Sequence, residues 1–313
     1  MTWLLAANAL LAALPQGQEA WTKQVFAQVS PSVARIPGAG YAGLIDDRGY
    51  FIAHASVIQG ETATAFLKGQ ELSLSRIYVD EPSQLCLLAA KSWQAGGSVL
   101  RMAKTPTTGR VIAVTEAGPV LADLADLNKA GIMRPSNRYL PLSEIRLETQ
   151  SNRLAGSLLF SARGELVGML GATLDQGVAM SSAMNLATPA SAAKTFGPAG
   201  MTVTYSVSPQ VLSRVIRGFI SESHRPEHPS LGIQFKDVNG TAVTVVSVGS
   251  GSTAEEGGMQ VGDVVVAFGT EPIRSSFRFA SKLFESTPGD VITLKVKRGN
   301  EVKELKLRVG ILK

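Results

Sequence analysis

The sequence predicts a mostly β protein made of two domains joined by a short linker. Three observations carry this. Between residues 33 and 170, short apolar runs alternate with Gly, Pro, Asn and Asp, as in "AGLIDD", "GYFIAHASVI", "LSLSRIYVD" and "RVIAVTEAG". Such runs with turn residues between them suggest a barrel or sandwich, not alternating βα units. Helical periodicity is confined to a few segments, the clearest being "PQVLSRVIRGFI" at 209–220. A polar stretch with two prolines, "SESHRPEHPS", then separates this region from a second strand-rich block. At 313 residues and 45% hydrophobic, the chain is long enough to bury more than one core.

The N-terminus, "MTWLLAANALLAALPQGQEA" (1–20), is apolar but too short to anchor across a bilayer. It resembles the hydrophobic region of a signal peptide, although no Lys or Arg precedes it and no small-x-small site follows. The expectation is export to the periplasm or cell envelope. "WTKQVFAQV" (21–29) suits a short amphipathic helix stopped by "SPS". The strand-like runs of the first domain (21–222) follow, ending in the hairpin "SLLFSARGELVGMLG", two apolar runs around a Gly-containing turn. In 209–220, Pro209 fits the first helical turn, and Val211, Leu212, Val215, Ile216 and Phe219 form an apolar stripe. Residues 223–229 are the linker. The block 230–313 holds about five strands and two helical pieces, "STAEEGG" and one within 275–286, enough for a complete small domain.

Composition excludes several chemistries. The net charge is +5 without a Lys/Arg block, so nucleic-acid binding is not expected. A single cysteine rules out an internal disulfide and any multi-Cys metal site, and Cys86 in "QLCLLAA" reads as a buried small hydrophobe. His224 and His228 are four apart, but Pro226 between them spoils a helical metal pair, so they read as solvated linker residues. "GATLDQG" and "GSGSTAEEGG" are ordinary turns, not phosphate loops. No metal or cofactor is expected.

The order "SLGIQF … VTVVSVGSGSTAEEGGMQVGDVVVAFGTEPI … FASKLFESTPGDVITLKVKRG" resembles a PDZ domain of the bacterial type. In physical terms, a turn ending in Gly232 at a strand start presents successive backbone N–H groups to an anion, and a peptide strand adds beside it. The resemblance places the carboxylate loop at Leu231, Gly232 and Ile233. It makes the helix near 276–285 the opposite wall, with Ala280 and Leu283 lining a side-chain pocket. A β-branched residue at Gly232 is expected to obstruct the carboxylate's approach.

Four further stretches occur in the order and at the approximate separations of HtrA-type serine proteases: "FAQVSPSVARI", "GYAGLIDDRGYFIAHASVI", "YVDEPSQLCLL" and "NRLAGSLLFSARGELVGML". With the PDZ-like block, the resemblance spans about 25–313, apart from poorly matching stretches near 115–145 and 172–202. It implies a trypsin-like double β-barrel before the PDZ domain. The departures fall on the chemistry. Where the family has its general-base histidine, orienting aspartate and nucleophilic serine, this chain has Ser56, Gln84 and Ala155. Arg153 and Leu154 occupy the turn that shapes the oxyanion site, Arg153 replacing a glycine. A hydroxyl activated by an imidazole that a carboxylate orients is thereby absent from those positions.

Two functional classes follow. One is a catalytically silent scaffold, chaperone-like binder or regulator that holds peptides or protein C-termini in envelope quality control, alone, as a homotrimer, or with an active HtrA relative. The other is a serine endopeptidase using displaced residues, His54 with Ser151 or Ser157. Glu148, near the turn, reads as a strand-surface carboxylate.

Overall fold

The computed structural model describes residues 16–94, 96–133, 138–147, 154–171, 195–196, 202–238 and 242–312. The apolar segment 1–15 lies outside them, as do Glu148, Ser151 and Arg153. Among the described residues, no helix is long and apolar enough to cross a membrane.

Helix α1 (Gln16–Val29) begins several residues before the segment whose periodicity marked it. It leads into β1 (Val33–Ile36), β2 (Gly40–Asp46), β3 (Tyr50–His54), β4 (Thr62–Leu67), β5 (Gln70–Asp80) and β6 (Leu85–Ala90). These six close into a barrel in the order β1-β2-β3-β6-β5-β4. The next strands are β7 (Arg101–Met102), β8 (Gly109–Thr115), β9 (Gly118–Met133), β10 (Arg138–Leu147), β11 (Leu158–Ser161), β12 (Glu165–Leu170), β13 (Thr195–Phe196) and β14 (Thr202–Val207). Six of them, β14-β10-β9-β8-β11-β12, form a second ring that closes through a β12–β14 pairing at Met169↔Val207 and Leu170↔Ser206. Helix α2 (Pro209–Ile220) follows, capped by the Ser208 hydroxyl, which accepts from the Val211 N–H.

Strand periodicity explains why the runs are apolar on consecutive residues. In β8, Val111 and Ala113 point into the second barrel, whereas Ile112 and Val114 enter a cluster between the barrels. In β3 and β6, Phe51, Ala53, Cys86 and Leu88 fill the first barrel, and Ile52, Leu85 and Leu87 face the same central cluster. Successive side chains alternate faces, so a strand buried on both sides has no polar position to spare. Val25 and Val29 of α1 complete the central cluster, together with Val211, Leu212, Val215, Ile216 and Phe219 of α2. Burial pushes the Cys86 thiol up to about 12, leaving it an inert hydrophobe.

The C-terminal unit holds β15 (Pro229–Ser230), β16 (Ile233–Val238), β17 (Ala242–Val248), α3 (Thr253–Glu256), β18 (Val264–Phe268), β19 (Glu271–Pro272), α4 (Ser276–Glu285), β20 (Val291–Arg298), β21 (Glu301–Arg308) and β22 (Gly310–Ile311). Its main sheet runs β16-β17-β18-β20-β21, which leaves β16 at an edge. β15 pairs with β22.

This unit is held against the barrels by named contacts. Arg214 of α2 donates to the carbonyls of Phe284 and Ser286, at 2.8 and 2.9 Å, and stacks over the Phe284 ring at 4.7 Å. A guanidinium thereby covers the last carbonyls of α4, where a cation is favoured. Phe284 itself belongs to the central cluster. The linker histidines are not solvated, contrary to the sequence expectation. His228 Nε2 lies 2.8 Å from Asp80 Oδ1, with both side chains buried, and Asp80 also accepts from the Ser83 hydroxyl and N–H. His224 Nδ1 donates to the Phe219 carbonyl at 2.6 Å, and its Nε2 accepts from the Tyr50 hydroxyl at 3.3 Å. The linker folds back on the first barrel, and a buried imidazole requires partners there.

Asp80→Ala removes the acceptor for three buried donors, on His228 and Ser83, and should weaken docking by about 1.5–3 kcal/mol. Faster proteolytic nicking in 221–227, with an unchanged cleavage rate inside the barrels, is the expected result. His228→Ala added to it should contribute little more, because the two residues share one interaction.

Candidate functional site

The seam between the barrels carries the first candidate site. β3 ends at His54, where the chain enters a 3-10 turn, Ala55–Val57. The His54 side chain caps that turn. Its Nδ1 accepts from the Ser56 N–H at 3.3 Å and pairs with the Ser56 hydroxyl at 2.7 Å. Two donors on Nδ1 assign the ring proton to Nε2. Nε2 is buried without a well-formed hydrogen bond, and a Cβ on Gly171 would stand 2.8 Å from it. Burial lowers the imidazole to about 4, a pull that support from the Gly171 backbone only partly offsets.

Gln84 adjoins this turn through its backbone, its carbonyl accepting from the Ala55 N–H at 2.8 Å. It holds a left-handed conformation, φ +59°. Its side-chain amide turns back to the Glu81 carbonyl at 2.7 Å, not toward Ser56. From the second barrel comes the turn Leu154–Ser157 before β11. Ala155 is exposed, while Leu154, Gly156 and Ser157 are buried. The Gly156 N–H donates to the Leu170 carbonyl at 2.8 Å, and the Ser157 N–H donates to that of Leu154 at 3.1 Å. Gly156 has φ +81°, and a Cβ there would overlap Val57. A glycine is therefore required twice over, by backbone sign and by the close approach of the two turns.

The fold thus brings the Ser56 turn, the Gln84 backbone and the Ala155 turn to one place on the seam. Their chemistry does not follow the geometry. The Ala155 side chain has no proton to give up, and among the described residues no carboxylate is bonded to His54. A neutral imidazole with so low a basicity is a poor general base at neutral pH. Its Nδ1 is engaged by Ser56 and not by Ser157. Two residues apart, His54 and Ser56 would share a face had the strand continued, but the strand ends at His54. The short "HAS" segment closing a strand was the available signal for a capped turn.

The second candidate site lies on the C-terminal unit. A cavity of about 400 Å³ is lined by Leu231, Ile233, Ala280 and Leu283, with Ser230, Gln234, Phe235 and Phe284 among its other walls. Leu231 is 1% exposed and belongs to that unit's core. Its carbonyl accepts from the Ala254 N–H at 3.1 Å. Gly232, at φ +73°, accepts at its carbonyl from the Gly249 N–H at 2.8 Å. Its own N–H donates to the Ser230 hydroxyl at 3.1 Å, a bond that an anion would have to replace. A Cβ on Gly232 would overlap Ser252, so the expected obstruction is directed inward. A side chain there distorts the loop instead of screening it from a ligand.

His54 also dictates an acid response. The unfolded imidazole takes a proton near its ordinary 6.5, and the folded one only near 4. Stability is therefore fully present above about 6.5 and falls as pH drops toward 4, by on the order of 3 kcal/mol. His54→Gln should flatten this part of the acid limb, measured as the urea midpoint between pH 7.5 and 4.5. An unchanged slope would assign the acid limb to other groups.

Residues 229–309 match the family model described as PDZ domain. No curated protein sequence matches the chain. Among solved structures, the HtrA-type protease AlgW with decapeptide is similar at TM-score 0.65 and 16% identity, over 93% of this chain and 99% of that one. The same protease with tripeptide gives 0.65 and 17%, over 93% and 97%. The serine endoprotease from Yersinia pestis gives 0.60 and 16%, over 93% and 98%. Identities this low speak to the fold alone. The chain is mostly β, a trypsin-like double β-barrel followed by a PDZ domain, a fold that matches HtrA-type structures.

Proposed function

We propose that this protein is a catalytically silent HtrA-like chain that binds the C-termini of peptides or proteins through its PDZ domain. It acts in the cell envelope as a scaffold, chaperone-like binder or regulator, alone as an oligomer or beside an active relative. The observation that carries this reading is the cavity of about 400 Å³ beside the exposed edge of β16 and the Leu231–Ile233 loop. An anion met by the loop amides, with a peptide strand added to the edge, uses both features. The neighbours solved with a tripeptide and a decapeptide support a peptide ligand. The seam supports silence, since Ser56, Gln84 and Ala155 supply neither base, carboxylate nor nucleophile.

The rival reading is a serine endopeptidase. One contact favours it, the exposed Ser56 hydroxyl 2.7 Å from His54 Nδ1. Against it stand the low basicity of His54 and the missing carboxylate. Misplacement by one position is enough to forfeit orders of magnitude in rate.

Purified protein should leave unfolded casein intact over hours and take up no fluorophosphonate. Labelling that disappears in Ser56→Ala and His54→Ala would establish the rival. Restoring Ser56→His, Gln84→Asp and Ala155→Ser together should still give no labelling, because Arg153 and Leu154, at the positions that the resemblance gives to the oxyanion turn, are unchanged.

Calorimetry with short peptides ending in an apolar residue should give micromolar affinity, about −8 kcal/mol. Amidating the C-terminus should weaken binding by about tenfold or more, the loss of a charge-assisted interaction. Equal affinity for both forms would remove the carboxylate mechanism.

A further inference from the structure

The groove between β16 and α4 is not open along its length, because the barrel places a side chain in it. Tyr139, near the start of β10, stacks on Phe235 of β16 with ring centroids 5.2 Å apart and planes 14° from parallel. Phe235 in turn meets Phe279 of α4 edge-on at 5.0 Å. The Tyr139 hydroxyl faces Ser276, the first residue of α4, whose N–H donates to Asp237 at 2.7 Å. Tyr139 therefore bridges the strand and the helix that form the two walls. Leu140 and Pro82, also from the barrels, line the same cavity.

The position of this ring limits the ligand. A peptide strand that begins with its carboxylate at the Leu231–Ile233 amides runs beside β16 toward Phe235. Ile233 and Phe235 are two residues apart, about 7 Å at ~3.3 Å per residue. Beyond that distance the ring occupies the space a further residue would need. Tyr139 is not a loosely placed side chain, since the Asp80–His228 contact and the Arg214 contacts hold the PDZ domain against the barrels.

Resting on the peptide-binding reading above, we propose that Tyr139 is a specificity-determining residue that limits the groove to roughly the last two or three residues of a ligand. Upstream residues leave the groove for solvent and add little affinity. An extended ligand that pairs along the whole of β16 must displace the barrel from the groove.

The test uses the full chain and a nested series of free-carboxylate peptides, two, three, four and six residues long, sharing one apolar C-terminal residue. With the unaltered protein, affinity should rise to the tripeptide and then stay within about threefold. In Tyr139→Ala the hexapeptide should bind about tenfold or more tighter than the tripeptide. Tyr139→Phe keeps the ring and should retain the cut-off. If Tyr139→Ala does not fold, Asp80→Ala loosens the docking without altering a groove residue and should show the same gain with length. Affinity that climbs steadily through six residues in the unaltered protein would overturn the proposal. So would a folded Tyr139→Ala, or in its place Asp80→Ala, that keeps the plateau. Absence of binding at every length and in every variant would instead overturn the peptide-binding reading, and the length limit with it.

Discussion

A single apolar cluster positions everything else in this protein. It is filled from both barrels, from α1 and α2, and by Phe284 of the PDZ domain. The strands that supply it are buried on both faces, because each barrel needs its own interior as well as the shared seam. Burial of apolar area at roughly 25 cal/mol per Å² makes such a seam the dominant favourable term. A substitution within it disturbs three units at once, since close packing leaves no slack.

The same seam sets the turns that meet on it through contacts that need no particular reacting group. The turn at Leu154–Ser157 is set by Gly156, by the bond to the Leu170 carbonyl and by contact with Val57. None of these needs a hydroxyl at Ala155. Likewise the Ala55–Val57 turn is capped by His54 and tied to the Gln84 carbonyl. Scaffold contacts and reacting groups are different atoms, so one set can be exchanged while the other remains. His54 then serves as a structural cap whose buried ring stays neutral.

Docking of the PDZ domain depends on polar groups that are costly to bury alone. Asp80 satisfies His228 and Ser83 together, and Arg214 closes the end of α4. Through these contacts the orientation of the barrels reaches into the groove between β16 and α4, where Tyr139 lies against Phe235. The walls of that cavity are therefore supplied by both domains.

Local pattern was sufficient for much of this. The apolar stripe of 209–220 with Pro209 in its first turn marked α2 to the residue, and the Gly-containing turn at 162–165 marked the β11–β12 hairpin. The order of landmark segments singled out Ser56, Gln84 and Ala155, whose turns the fold brings to one seam. Tertiary structure alone decided the partners of His224 and His228, the contact of His54 with a turn instead of a strand neighbour, the inward direction of a Gly232 side chain, and the placing of Tyr139 over Phe235. The reason is separation along the chain. Periodicity and turn chemistry act over a few residues, whereas Asp80 and His228 are 148 positions apart and meet only after two rigid units have packed. Which distant surfaces touch depends on the relative placement of whole barrels and sheets, a property that no short stretch of sequence encodes.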